Sequence, residues 1–185
     1  CIRDSPGPAF KPDRVLADGE SVEIGEVGIE VIGTPGHTPH HLCYRAGDAL
    51  FTGDHIMGGS TVIVEHMTEY LESLEKLRGI GVTMIHPGHG EPMDDPDAVI
   101  DWYLDHRLMR ERQIVGALER GARTIGEIVE ICYEDVDPAF YLMAARSVGA
   151  HLRKLAEEDL VALPVGSSDW TSRVRFPLPK PEKEE

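Results

Sequence analysis

The sequence holds only three cysteines, Cys1, Cys43 and Cys132, an odd number with no Cys-x-x-Cys pair. That disfavours a disulfide scaffold and a zinc ribbon, and makes a reducing, cytoplasmic setting the expectation. Positive charge is also scarce. There are 18 basic against 33 acidic residues, a net charge of −15, which repels phosphate backbones and argues against a protein that coats DNA or RNA. No apolar run approaches the roughly 20 residues that span a bilayer, so no membrane partner is expected. There is no internal repeat, and no initiator methionine. The chain is therefore expected to be processed or to be a piece of something longer, and the lack of a leader says nothing about export.

What is present is globular. The 185 residues are 41% apolar and 28% charged, enough for one domain, or one and a fraction, with a real core. Val27, Ile29 and Val31 alternate with polar or small residues, the pattern of a half-buried strand, and Val22–Ile24 reads as its hairpin partner. Short apolar runs at 42–44, 49–51, 62–64 and 82–85 are bounded by turn residues and read as further strands. A helix is expected over 69–78 on a stripe of Leu71, Leu74 and Leu77, with Glu72 and Lys76 paired on its wet face. After residue 90 the strand signals give way to helix. Asp95-Pro96 opens one that runs to about Glu119, its stripe including Ile100, Tyr103, Leu104, Leu108 and Val115. Thr124-Ile-Gly-Glu127 is a capping box, and Asp137-Pro138 opens a third helix with Leu142, Val148, Leu152 and Leu155 inward. Two β-prone pieces, 160–165 and 170–174, complete the order of a winged helix. The expected division is 1–106, 107–175, and a solvated tail over 176–185.

Seven of the nine histidines (37, 40, 41, 55, 66, 86 and 89) lie within 53 residues. Three segments combine a ligand-type side chain with glycine after a strand run: Thr-Pro-Gly-His37-Thr, Phe-Thr-Gly-Asp54, and His-Pro-Gly-His89-Gly. Strand ends would bring His37, Asp54 and His89 to one edge of a sheet. Glycine beside each permits the close backbone approach that a metal site needs. Imidazole nitrogens with a carboxylate suit zinc, and iron or manganese less well. His41 reads either as a pocket residue behind the ligands or as a packed strand residue. His55 and His86 read as solvated loop positions, and His66 and His106 as surface residues.

These three segments together resemble the metallo-β-lactamase superfamily, and specifically its glyoxalase-II-like hydrolases. The helical tail, including Tyr103–Arg112, looks like that of the β-lactamase-like protein 2 branch, described as endoribonucleases. The resemblance covers about residues 18–163. It implies that His37 binds a first zinc, His89 a second, and Asp54 bridges the two as the catalytic carboxylate. In the intact family two zinc ions lower the pKa of a bridging water to about 7, and the hydroxide attacks a carbonyl or phosphoryl centre. The family's His-x-His-x-Asp-His motif is absent here. The implied fold is α/β: half of a metallo-β-lactamase αββα sandwich followed by a winged-helix-like module, with the N-terminal half of the fold as the missing partner. The chain alone is then expected to hold zinc weakly and to be inactive, with one sheet face left uncovered.

Substrate class stays open at this stage. Esters, thioesters and RNA can all be attacked by the same metal-bound hydroxide, which leaves three readings. They are a β-lactamase-like protein 2 type hydrolase, a glyoxalase-II-type thioesterase acting on hydroxyacylglutathione-like substrates, and a non-catalytic winged-helix binding protein. Arg107, Arg110, Arg112, Arg120 and Arg123 form a local basic cluster that could touch phosphate, though acidic residues are interleaved with it.

Overall fold

The computed structural model describes residues 13–163, 173, 174 and 176. The chain divides into two compact units, residues 1–106 and 107–185. The first is built on a six-stranded sheet whose spatial order follows the chain. Strands β1 (Ser21–Ile24) and β2 (Val27–Gly33) form a hairpin across Gly25, whose φ of 64° suits the two-residue turn. Strands β3 (Leu42–Ala46) and β4 (Ala49–Gly53) form a second hairpin across Gly47, at φ 62°. The chain then crosses over through helix α1 (Met67–Leu77) into β5 (Met84–Pro87), parallel to β4, and ends the sheet with β6 (Met93–Asp94). Because β2, β4 and β5 run the same way, their C-terminal ends all lie at one end of the sheet. That shared end positions the site.

Val31, Cys43, Leu50 and Ile85 from the sheet are fully buried, as are Tyr70, Leu74 and Leu77 of α1. Each such side chain stabilises the fold by roughly 1.5–3 kcal/mol. Two details of α1 differ from the sequence reading. Leu71 is only half-buried, because Tyr70 takes the inward position. Lys76 does not pair with Glu72 but reaches Asp18, at 2.7 Å and 2.8 Å, and the Gly33 carbonyl. Asp18 in turn accepts from the Gly33 N–H, so this pair ties the lead-in segment to β2. Residues 62–64 form no strand. They run as irregular chain with Val62 and Val64 buried, apolar enough to read as a strand but outside the sheet.

Helix α2 (Pro96–Glu119) gives residues 96–106 to the first unit and 107–119 to the second. Its buried positions are Pro96, Ile100, Tyr103, Arg107, Ile114, Ala117 and Leu118. Leu108, expected inward, is 39% exposed, because Arg107 occupies that side of the helix. The second unit continues with α3 (Ile125–Cys132), opened by the complete Thr124–Glu127 capping box. A 3-10 turn (Pro138–Phe140), capped by Asp137, leads into α4 (Tyr141–Glu157). Its core joins Ile114, Leu118, Ile125, Ile128, Val148, Leu152 and Leu155, with Val161 and Val174. Leu142, expected inward, is 71% exposed because it lies just past the 3-10 turn, ahead of the packed face that starts at Ala144. Of the expected wing hairpin, 164–172 lie outside the described residues. Arg173 pairs with Thr124 in an antiparallel bridge, and the Val174 N–H donates to the Arg123 carbonyl at 2.8 Å.

A polar cluster sits inside this second unit. His151 is fully buried, with Nδ1 3.6 Å from Glu111 Oε2, too long for a close hydrogen bond but short enough for strong attraction. Lys154 bridges Glu111, at 3.0 Å, and Glu158, at 2.7 Å. Burial pushes the His151 pKa below the ordinary imidazole value despite Glu111, and the nearby Arg107 adds to that shift. The Glu111 carboxyl is held below its ordinary value by His151, against burial, and by Lys154. Both pKa values are depressed on folding, so the unfolded chain takes up protons first and acid destabilises this unit. Its melting temperature should fall between pH 7 and pH 5, beginning near the ordinary imidazole value of about 6.5. A melting temperature that stays level across that range, followed by calorimetry, would contradict the cluster's role.

Candidate functional site

The loop after β2 carries the first motif. Thr34 is buried, with Oγ1 2.9 Å from His41 Nδ1 and 3.2 Å from Cys43 Sγ. Gly36 adopts φ 127°, and a Cβ there would collide with the Tyr70 backbone. The close approach lets the Gly36 carbonyl accept from the N–H groups of Glu65 and His66, at 2.8 Å and 3.0 Å. Thus the loop is clamped to the start of α1. His37, half-buried, places Nδ1 2.7 Å from the Ile63 carbonyl. A carbonyl can only accept, so Nδ1 carries the proton. In the neutral ring Nε2 then holds the lone pair, the tautomer of a metal-binding histidine oriented through its other nitrogen.

The second and third motifs lie directly on one another. The Gly88 N–H donates to the Gly53 carbonyl at 2.7 Å. A Cβ at Gly88 would lie 2.8 Å from Asp54 Oδ1 and 3.0 Å from the Gly53 carbonyl carbon. Only glycine allows the His86–Gly90 loop to sit this close to the Thr-Gly-Asp turn. On its far side, Gly90 (φ 92°) and Gly58 meet backbone to backbone, leaving no room for a side chain on Gly90, and the Gly58 N–H donates to the His89 carbonyl at 2.9 Å. The outcome is an approach of His89 Nε2 to Asp54 Oδ1 at 3.5 Å. Asp54 is partly shielded and His89 is open to solvent. A carboxylate facing an imidazole in this way can share a proton or a cation.

From His37 a row of rings runs inward. His37 and His41 are 5.9 Å apart edge to face, His41 and His55 are 5.5 Å apart, and His55 lies 4.7 Å from Tyr70. His41 Nε2 is 3.1 Å from where a Cβ on Gly53 would be, so the residue is both packed and directly behind the Asp54 turn. It sits in the loop just before β3 rather than on the strand. His55 is completely buried, contrary to the solvated position expected of it. Its carbonyl accepts from the Tyr70 hydroxyl at 2.9 Å. The adjoining Ile56, also fully buried, was the local signal that this segment turns inward. His86 lies on β5 and stacks on Phe51 at 5.0 Å, again not a loop position. His66 is exposed at the start of α1, and His106 stacks on Trp102 at 5.4 Å.

The donor types, two imidazoles and a carboxylate, are those that zinc takes. Their number and placement fall short: among the described residues no group of three or more His, Cys, Asp or Glu side chains is arranged to hold a metal ion.

Residues 3–89 match the metallo-beta-lactamase superfamily, and residues 124–170 the beta-lactamase associated winged helix domain. A Caenorhabditis elegans protein named beta-lactamase-like protein 2 homolog is 35% identical over 150 residues, 80% of this chain and 51% of that protein. An Aspergillus fumigatus atrochrysone carboxyl ACP thioesterase is 32% identical over 126 residues, 64% of this chain and 40% of that protein. The crystal structure of a beta-lactamase domain protein from Burkholderia ambifaria superposes with a TM-score of 0.77 at 24% identity, covering 91% of this chain and 54% of that one. It shares the fold. The chain spans about half the length of the curated relatives it matches.

The stacked loops generate a direct test. Gly88→Ala should force Asp54 and the Gly53 backbone apart and lower stability by about 1–3 kcal/mol. Chemical denaturation measures the loss, and amide shifts should change at Asp54 and His89. A variant with unchanged stability and unchanged shifts would show that the two loops are not in contact.

Proposed function

The chain carries a metallo-beta-lactamase domain followed by a beta-lactamase-associated winged helix, and from that premise we propose that it supplies His37, Asp54 and His89 to the zinc centre of a hydrolase. The observation that carries this reading is the 3.5 Å approach of His89 to Asp54, enforced by glycine packing at the same sheet end as His37. Asp54 is the residue on which activity depends, and His41 holds the turn that presents it. Two ions in the working site, with further donors from a segment these 185 residues do not contain, complete the proposal. Each residue's part is positional. The Ile63 carbonyl fixes the His37 ring, and the Gly53–Gly88 bond fixes the spacing of Asp54 and His89.

Among substrates, an ester or thioester is favoured over RNA by where the arginines lie. Arg107 is buried. The Arg110 guanidinium donates to Gln113 and to the Cys132 carbonyl and lies 4.4 Å above the Tyr133 ring. That of Arg123 donates to the carbonyls of Leu118 and Ala122. Three of the five members of the basic cluster are thus engaged within their own unit. The thioesterase name of the Aspergillus relative points the same way. An endoribonuclease and a non-catalytic winged-helix binder are the other readings, and both need phosphate contacts from a cluster in which Arg107 is buried and Arg110 and Arg123 already have partners.

In the full-length protein Asp54→Ala should abolish turnover of an acyl thioester while leaving the fold intact, and single-stranded RNA assayed beside it should be spared. The 185-residue chain titrated with zinc should bind weakly and hydrolyse neither substrate. Tight uptake of two ions with turnover by this chain would overturn the shared-ligand proposal, and full activity in Asp54→Ala would overturn the site.

A further inference from the structure

A groove of about 640 Å³ opens in the first unit, between the loop that follows Asp54 and the start of α2. That size lies within the range of small-molecule pockets. Its apolar walls are Met57, Met93, Val99, Trp102 and Tyr103. The loop wall is held in place. The Tyr103 hydroxyl lies 2.7 Å from the carbonyls of both Met57 and Ser60 and accepts from the Met57 N–H at 3.0 Å. Gly58, in the same loop, is the residue whose N–H donates to the His89 carbonyl. One loop therefore forms a wall of the groove and supports the Asp54–His89 pair.

Charge narrows the occupant. The charged residues lining the groove are Asp94 and Asp95, with no lysine or arginine among them. An anionic ligand would meet like charges there, and a nucleotide or phosphodiester meets them at every residue. An apolar chain with a neutral head meets none. Trp102, about half exposed, offers a flat apolar surface at the opening.

We propose that this groove binds the aliphatic or aromatic acyl group of a neutral ester or thioester. The step from binding to cleavage rests on the hydrolase reading above, whereas the binding itself does not. Affinity for a linear acyl series should rise about threefold to fourfold per added methylene until the groove is full, since each buried methylene contributes about 0.8 kcal/mol.

N-octanoylethanolamine, a neutral amide that mimics the acyl group, is the probe, and calorimetric titration of the 185-residue chain is the measurement. Octanoate, with the same chain and a negative head, should bind about tenfold more weakly. Ala98→Trp fills the groove from an exposed helical position, and Trp102→Ala removes its aromatic wall. Each should weaken the probe by about tenfold or more with the circular dichroism spectrum unchanged. Equal affinity in both folded variants, or octanoate binding as tightly as the amide, overturns the proposal. Asp54→Ala separates this inference from the hydrolase reading, because it should leave probe binding intact while ending turnover of the full-length protein. Probe binding without any effect of Asp54→Ala on turnover would sink the hydrolase reading alone. Loss of turnover without probe binding in the parent chain would sink the groove alone.

Discussion

The contact on which the site depends is between two backbones. Gly88 lies against Gly53 and Asp54 so closely that a single methyl group would not fit, and one hydrogen bond of 2.7 Å joins the two loops. Parallel pairing of β4 with β5 brings the loops to the same end of the sheet, and the crossover through α1 makes that pairing possible. Further out, Gly58 against Gly90 and Gly36 against Tyr70 repeat the device. Glycine serves here less for conformational freedom than for absence of volume. The loops after β2, β4 and β5 and the first turn of α1 are packed at backbone distance.

The interior behind that edge is unusually polar. Thr34, His41, Thr52 and His55 are all buried beneath the loops, among Cys43, Ile56 and Tyr70. Burying polar groups is costly unless they meet partners, and the Thr34 hydroxyl with His41, the Thr52 hydroxyl with the Ile56 carbonyl, and the Tyr70 hydroxyl with the His55 carbonyl are three such pairings. The second unit solves a similar problem differently, grouping Glu111, His151 and Lys154 so that opposite charges share one buried location.

Much of this was legible in the sequence. Alternation pointed to β2 and its hairpin partner β1, short apolar runs between turn residues to β3 and β4, and the Thr124–Glu127 box to the start of α3, since each is a local signal with a local cause. The placement of His37, Asp54 and His89 after strand runs at one end of the sheet was legible, because each follows an apolar run and a glycine. What failed depended on tertiary context. Residues 62–64 have the composition of a strand but run as irregular chain, with the Ile63 carbonyl taken by His37. Leu108 and Leu142 fit a helical stripe, yet Arg107 took the inward position of the first, and a 3-10 turn set the second outside the packed face. His55 was misjudged for the same reason. The glycine and aspartate before it read as a turn and outweighed the apolar Ile56 after it, and the fold shows that α1, through Tyr70, closes over it.

On the proposed reading, one end of this sheet presents His37, Asp54 and His89 to zinc. Crystals of the 185-residue chain grown at high zinc concentration and measured at the zinc absorption edge test it most directly. The account predicts an anomalous peak at the Asp54 carboxylate and His89 Nε2, lost in Asp54→Ala. Zinc density elsewhere on the chain with none at this pair would contradict it.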